Sequence, residues 1–345
     1  MIKSHKAISL TTALYLFLFI SSESAQISYQ LNPEFGFYNS SSSFLQNESG
    51  LLTRIEGKLS YLYEADNYSA SLNFKARPEL FGLNRQLTSF KFKAGGEYER
   101  HEESFDWGLN LSRQLNEITN NDVHINYDIF SLQGNLSFSP VEDFPISSVI
   151  GYAYQNVSSG SEQNLDLVFC EAKANHTINP YLGLGYGLYY EKFKIENKQG
   201  NKYQPQTNSN SGYRIGPEVE FNFVKEFLIN LQYRFLFHAS DVTAFPSYEQ
   251  WIKLVAGKIL FQNVSAFILI NFYLREYKTS SSSADKLSIL YTPINQENFI
   301  NFKTSYDLSE TLNLYLKCGY FKENLIYNNY TFEGWNFVFG IELSK

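Results

Sequence analysis

The sequence predicts an all-β chain closed into a single antiparallel up-and-down cylinder of about sixteen strands, within a range of fourteen to eighteen. Three observations point there. Aromatic residues make up 17% of the 345, with 26 Tyr and 30 Phe against one Met, and such side chains suit a pleated surface. Past residue 25, apolar and polar side chains alternate at period two in segments of about 10 to 15 residues. The connections between these segments then alternate between short and long.

Residues 1–25 read as a secretory signal. Lys3 and Lys6 precede an apolar run from Ala7 to Ile20, followed by small residues, with cleavage expected after Ser24 or Ala25. The run is too short for a stable membrane-spanning helix. Residues 26–345 are then one domain. The formal charge is −7, or −8 once Lys3, Lys6 and Glu23 are removed, and this acidic balance argues against nucleic acid as a partner.

The first strand starts at once. Ile27, Tyr29, Leu31, Phe35 and Phe37 share one face, with Gln30, Asn32 and Glu34 on the other. No room is left before it for an N-terminal plug or helical-repeat module. Further along, Tyr68, Ala70, Leu72 and Phe74 oppose Ser69, Ser71, Asn73 and Lys75; Phe90, Phe92, Ala94 and Tyr98 oppose Lys91, Lys93, Gly95 and Glu97. Tyr213, Ile215, Pro217, Val219, Phe221 and Phe223 oppose Arg214, Gly216, Glu218, Glu220 and Asn222. Near the end, Leu312, Leu314, Leu316 and Cys318 oppose Asn313, Tyr315, Lys317 and Gly319. The final stripe is Trp335, Phe337, Phe339, Ile341 and Leu343.

Two segments change parity. Between Trp251 and Phe261, and again around Ile129 and Phe130, the apolar set switches faces, as a β-bulge would cause. Residues 286–291 read as a further hairpin strand within the longest loop.

The short connections fall at 64–67, 99–104, 139–145, 176–180, 224–226, 262–264 and 307–311. The long ones fall at 39–50, 77–86, 113–123, 155–164, 197–212, 238–250, 278–298 and 322–334. Soluble sandwiches also alternate apolar and polar residues, but they have no reason to sort connections by end. A sheet that crosses lipid must close on itself, because an unpaired backbone group there costs several kcal/mol. A lysine aimed at mid-membrane costs about 2 to 4 kcal/mol, so Lys317 is assigned to the inside.

This pattern resembles the bacterial outer-membrane β-barrel superfamily in its porin-sized members, over the whole chain from Gln26. The resemblance implies short periplasmic turns, longer extracellular loops and a place in the outer membrane of a Gram-negative-type bacterium. It also implies the barrel assembly machinery and outer-membrane lipid as partners. Members usually end on an aromatic residue; this chain ends on Ser344 and Lys345.

About sixteen strands leave an aqueous channel unless something fills it. The candidate pore-lining residues are Arg54, Lys58, Lys75, Lys91, Lys93, Glu97, Arg214, Glu218, Glu220, Arg234, Arg275, Lys303, Lys317 and Glu342. Lys173, Glu34, Glu56, Asp106, Glu171, Glu191 and Asp307 belong to the same inward set. The signs nearly cancel, so weak ion selectivity is expected. Lys75, Lys91 and Lys93 form either a basic ladder or one side of cross-strand ion pairs. Gly183, Gly185 and Gly187 leave a smooth strip that accommodates a folded-in loop or relieves curvature.

Catalysis finds little material. His238, Ser240 and Asp241 lie close in sequence at a rim, as do Asp122 and His124, and a rim histidine is expected to be solvated. A triad is defined by geometry. Cys170 and Cys318 are isolated and form neither a metal site nor a redox pair, and no phosphate or dinucleotide motif occurs. No enzyme, cofactor or metal is expected. The leading expectation is a channel for passive movement of small polar solutes or export of a hydrated polymer such as a polysaccharide. The alternative is a surface-recognition or adhesion barrel with an occluded lumen, and a barrel enzyme comes third.

Overall fold

A computed structural model describes residues 25–42, 48–82, 87–120, 124–141, 143–158, 162–199, 206–241, 247–277, 298–325 and 330–345. Of the expected signal at 1–25, residues 1–24 lie outside them and Ala25 opens the first strand; the extra strand at 286–291 also lies outside them. Sixteen strands follow one another: β1 (Ala25–Ser42), β2 (Glu48–Ala65), β3 (Tyr68–Phe81), β4 (Leu87–His101), β5 (Asp106–Asn120), β6 (His124–Phe138), β7 (Ile146–Ser158) and β8 (Glu162–Asn179). The second half holds β9 (Leu182–Gln199), β10 (Gln206–Val224), β11 (Leu228–Ser240), β12 (Ser247–Phe261), β13 (Val264–Tyr277), β14 (Asn298–Ser309), β15 (Leu312–Leu325) and β16 (Tyr330–Ser344).

Each strand pairs with its chain neighbours, and β1 pairs with β16 to close the barrel. At the seam, Tyr29 N–H donates to Lys345 O at 2.9 Å and Lys345 N–H to Tyr29 O at 3.0 Å. Closure leaves no sheet edge to meet lipid, which is what permits a β structure to cross a membrane.

The outer face marks where lipid lies. Phe35, Phe37, Phe302, Leu316, Trp335, Phe337 and Phe339 all stand exposed on it. Tyr63, Tyr68, Tyr98 and Trp107 form an outward girdle near the short-turn end, with successive ring centroids 5.8, 6.0 and 5.5 Å apart. Tyr213, Phe237, Tyr248 and Phe235 form its counterpart near the long-loop end. Aromatic belts of this kind sit at both membrane interfaces. Phe227, under the Lys258 ammonium at the short-turn end, lies about ten residues from Phe237, or roughly 33 Å along a strand. Tilted by about 45°, that spans roughly 25 Å, the height of a barrel's apolar band.

The strands are 12 to 19 residues long, where about 9 to 11 suffice to cross. The surplus projects beyond the outer interface, and there the side chains reverse. On β9, Leu188 and Tyr190 face lipid, but the next outward residues are the exposed Lys192 and Lys194, while Phe193 and Ile195 point inward and are buried. On β6, Ile125 and Tyr127 point inward and Asp128 outward. Water surrounds the wall at this height, so the polar set belongs outside.

This reversal corrects two expectations. The parity change near Ile129 is not a bulge, because β6 keeps an unbroken register with both β5 and β7. The bulge expected in β12 is present, between Ile259 and Phe261. Much of the sequence assigned to long loops is projecting strand: β3 continues to Phe81, β9 to Gln199, and β12 begins at Ser247. Connection lengths therefore sort less cleanly than the sequence suggests, and the 139–145 connection at the short-turn end outlasts several at the other. Gly82, with φ near 80°, takes the left-handed turn that leaves β3.

Candidate functional site

All the candidate pore-lining side chains that are described sit on the lumenal face by register. Arg275 lies opposite the inward Glu249. They do not form a uniform ring. They gather on two walls, centred on β1 and β9, which are eight strands apart in a ring of sixteen and so face each other across the lumen.

On the first wall, Glu34 accepts Arg54 at 2.8 Å, Lys317 at 2.7 Å and the Tyr315 hydroxyl at 2.8 Å. Glu79 takes Arg54 at 2.5 Å, Arg77 at 3.2 Å and Lys91 at 3.8 Å. Glu56 takes Lys75 at 2.7 Å, Lys58 at 3.4 Å and Arg77 at 3.8 Å, and Glu342 takes Lys303 at 3.4 Å. Among the described residues seven cations share four carboxylates here. Of the expected basic ladder, Lys75 and Lys91 are thus paired with acids, while Lys93 stands exposed with no ion pair among the described residues.

The second wall has the opposite excess. Lys173 reaches Glu218 at 3.5 Å and also bonds Glu220. Arg234 bonds Glu171 at 2.7 Å and Glu218 at 2.6 Å, and its guanidinium lies 4.0 Å from the Tyr189 ring centroid. Arg214 stands between Glu191 at 3.2 Å and Glu249 at 3.3 Å, and His238 Nδ1 meets Glu249 Oε1 at 2.5 Å. Among the described residues three cations and one histidine pair with five carboxylates here, and Lys253, lumenal by its register with Gln232 and 6.0 Å from the Trp251 ring centroid, adds a fourth cation, so the acid excess is one. The lumenal charges nearly cancel in sum, as the sequence indicates, with the larger imbalance, of cations, on the first wall.

Glycines make these networks possible. A Cβ on Gly185 would come within 3.0 Å of Lys173 Cε, and one on Gly187 within 2.5 Å of the Ala172 carbonyl. The glycine strip of β9 therefore lets Lys173 cross from β8 to Glu220 on β10. On the other wall, Tyr315 crosses β16 above Gly340, where a Cβ would meet its ring at 2.2 Å. The strip accommodates crossing side chains, which neither sequence reading anticipated.

Nearer the long-loop end the lumenal face turns apolar. Tyr38, Leu52, Phe81, Ile118, Ile125, Tyr127, Val157 and Val338 form one buried cluster. Leu165, Leu167, Phe193 and Ile195 form another. These are inward side chains with less than a tenth of their surface exposed, so the lumenal face is closely packed at this height.

His238 departs from expectation. It is 1% exposed, because it points inward beneath this apolar layer, edge-on to Phe193 at 5.3 Å. Its acid partner is Glu249. Asp241 is engaged elsewhere, accepting from Ser211 N–H at 2.6 Å and Ser211 Oγ at 3.1 Å, so the sequence-adjacent His, Ser and Asp are not assembled as a triad. His124 is exposed beside Thr119 Oγ1 at 3.0 Å, and Asp122 lies outside the described residues. Both cysteines are free and exposed on the lipid-facing side. No group of metal-ligating residues occurs among those described. Arg77, Glu79 and Glu249 escaped the sequence reading because they fall in stretches taken for loops.

Closure, the girdled apolar band and the ionic interior define an outer-membrane β-barrel. The sequence family described as the putative MetA-pathway of phenol degradation matches residues 51–249, and the chain belongs to that family. No sequence among the curated proteins matches. Among solved structures, CdiB from Acinetobacter baumannii superposes with a TM-score of 0.53 at 8% identity, covering 92% of this chain and 60% of that one. This chain thus spans about 60% of CdiB. OmpT of Vibrio cholerae gives 0.48 at 11% identity, over 94% of this chain and 99% of that one. The toluene transporter TbuX of Ralstonia pickettii gives 0.36 at 8% identity, over 92% and 89%. At such identities the likeness concerns the barrel fold alone.

Proposed function

We propose that the protein is a passive channel of the outer membrane for small solutes with an apolar or aromatic part. The observation that carries this reading is the stacking of two environments along one lumen: a closely packed apolar layer at the outer end, above two facing walls of ion pairs, the first with an excess of cations. An apolar solute leaves water for the outer layer at a gain of about 25 cal/mol per Å² of surface buried, while the walls below solvate a polar group. The family's description, which concerns phenol degradation, is in keeping with such a solute. A hydrated polymer would have to shed its water to pass the same layer, so export of a polysaccharide is the less favoured cargo. Ion-paired walls also favour weak overall ion selectivity, because no ring of one sign encircles the path. The reading involves no catalytic step. Outer-membrane lipid and the barrel assembly machinery are its partners.

A second reading has its own support. Deep burial of the outer apolar clusters also suits a barrel that is shut at rest and serves surface recognition. Conductance of the purified barrel in planar bilayers separates the two. Discrete steps that aromatic solutes reduce are expected of the channel, and silence across voltage and pH would favour the shut scaffold.

A further inference from the structure

We infer that the first wall holds a binding station for a small carboxylate carrying an apolar ring. A cavity of about 420 Å³ opens there, between β1 to β3 and β13 to β16. Its volume falls within the range usual for small-molecule sites. Five cations line it against three carboxylates, Glu34, Glu56 and Glu342, and once Glu79, paired with Arg54 and Arg77 beside the cavity, is counted, one positive charge is left over.

The acids are already heavily shared. Glu34 serves Arg54, Lys317 and Tyr315, and Glu56 serves three cations. Two lysines are only loosely engaged. Among the described residues Lys303 has one ion-pair partner, Glu342 at 3.4 Å, and lies 4.3 Å from the Tyr315 ring centroid. Lys58 donates to the Gln30 amide oxygen at 2.8 Å and reaches Glu56 only at 3.4 Å. Each ammonium carries three donors, and 40% of the Lys58 side chain and 26% of the Lys303 side chain are exposed. An entering carboxylate finds donors whose charge is not yet balanced, in a lumen where screening is weaker than in bulk water.

The other boundary of the cavity is apolar. Leu269 and Phe299 line it from β13 and β14, and their register places both on the lumenal face. A ligand with a carboxylate at one end and an aromatic body at the other satisfies both boundaries. A simple anion leaves Leu269 and Phe299 unused, and a neutral aromatic leaves the lysines unmatched.

The inference takes its meaning from the channel reading, but it is measured without conduction. Fluorine NMR of 4-fluorobenzoate titrated with the detergent-folded barrel reads binding directly. Saturable broadening is expected, reversed by benzoate and not by equal acetate or benzyl alcohol. The double variant Lys58→Gln, Lys303→Gln should weaken binding at least tenfold, and Glu342→Gln should tighten it severalfold by freeing Lys303. No saturable binding to the folded barrel overturns the station, as does equal competition by acetate or by benzyl alcohol. Unchanged affinity in the double variant does so too. Heat-modifiable electrophoretic mobility reports folding; should the double variant fail that check, Glu342→Gln decides, and unchanged affinity overturns the inference. Binding without conductance keeps this site and removes the channel, whereas conductance without binding does the reverse.

Discussion

The Tyr315 hydroxyl donates to Glu34 at 2.8 Å across an intervening strand, and Gly340 is the residue that lets it pass. Glu34 joins β1 to β2 through Arg54 and to β15 through Tyr315 and Lys317, so this crossing ties both sides of the closure seam together. Gly340→Val would place side-chain atoms where the Tyr315 ring lies. Overpacking of this kind costs about 1 to 3 kcal/mol, and a lower urea midpoint of the refolded barrel should report it. Gly57, whose added Cβ would meet nothing within 4 Å, is the control: Gly57→Ala should leave the midpoint nearly unchanged.

Glu79 is almost fully buried and holds Arg54 and Arg77 together. Glu79→Leu removes the carboxylate and leaves Arg54 with Glu34 alone and Arg77 with only Glu56, 3.8 Å away. Breaking a buried pair from one side costs about 3 to 5 kcal/mol. Equilibrium unfolding in lipid vesicles should show a loss of that order, larger than for removal of the exposed Lys93.

Leu316 and Lys317 are adjacent and face opposite solvents. Leu316→Lys puts an ammonium into the apolar band and should destabilise the inserted barrel by about 2 to 4 kcal/mol. Vesicle-based unfolding measures it, and the same substitution at the lumenal Asn313 should cost far less.

Phe193 supports the outer apolar layer, edge-on to His238 and 5.8 Å from the Arg214 guanidinium. Phe193→Ala should widen the lumen at this level and raise single-channel conductance, while costing about 3 kcal/mol of stability. Unchanged conductance would place the narrowest point elsewhere.

Within the membrane band the chain was legible residue by residue, because one face met lipid and the other did not. Lys317, Glu34 and the facing sets around Arg214 follow from period two alone. Above the band the same period persists with its sign reversed, as in Phe193 and Ile195 between Lys192, Lys194 and Glu196. A reading that follows the apolar set across that point finds a bulge or a loop. Hence the sequence around Pro78 reads as loop at Arg77 and Glu79, and so does the stretch that holds Glu249. The ion-pair partners were out of reach for another reason: Lys173 to Glu220 and Tyr315 to Glu34 skip a strand, and only the glycines between them hint at it.

The reversal along β9 offers the most direct test of a closed, lipid-embedded wall that projects beyond the membrane. Single spin labels from residue 184 to residue 196, with Cys170 and Cys318 replaced by Ser, would be read in proteoliposomes by collision with oxygen and with a water-soluble nickel chelate. Labels at Leu184, Tyr186, Leu188 and Tyr190 should favour oxygen, those at Lys192 and Lys194 nickel, and those at Phe193 and Ile195 neither. Nickel access at Leu188 equal to that at Lys194, or oxygen preference continuing through Lys194, would contradict it.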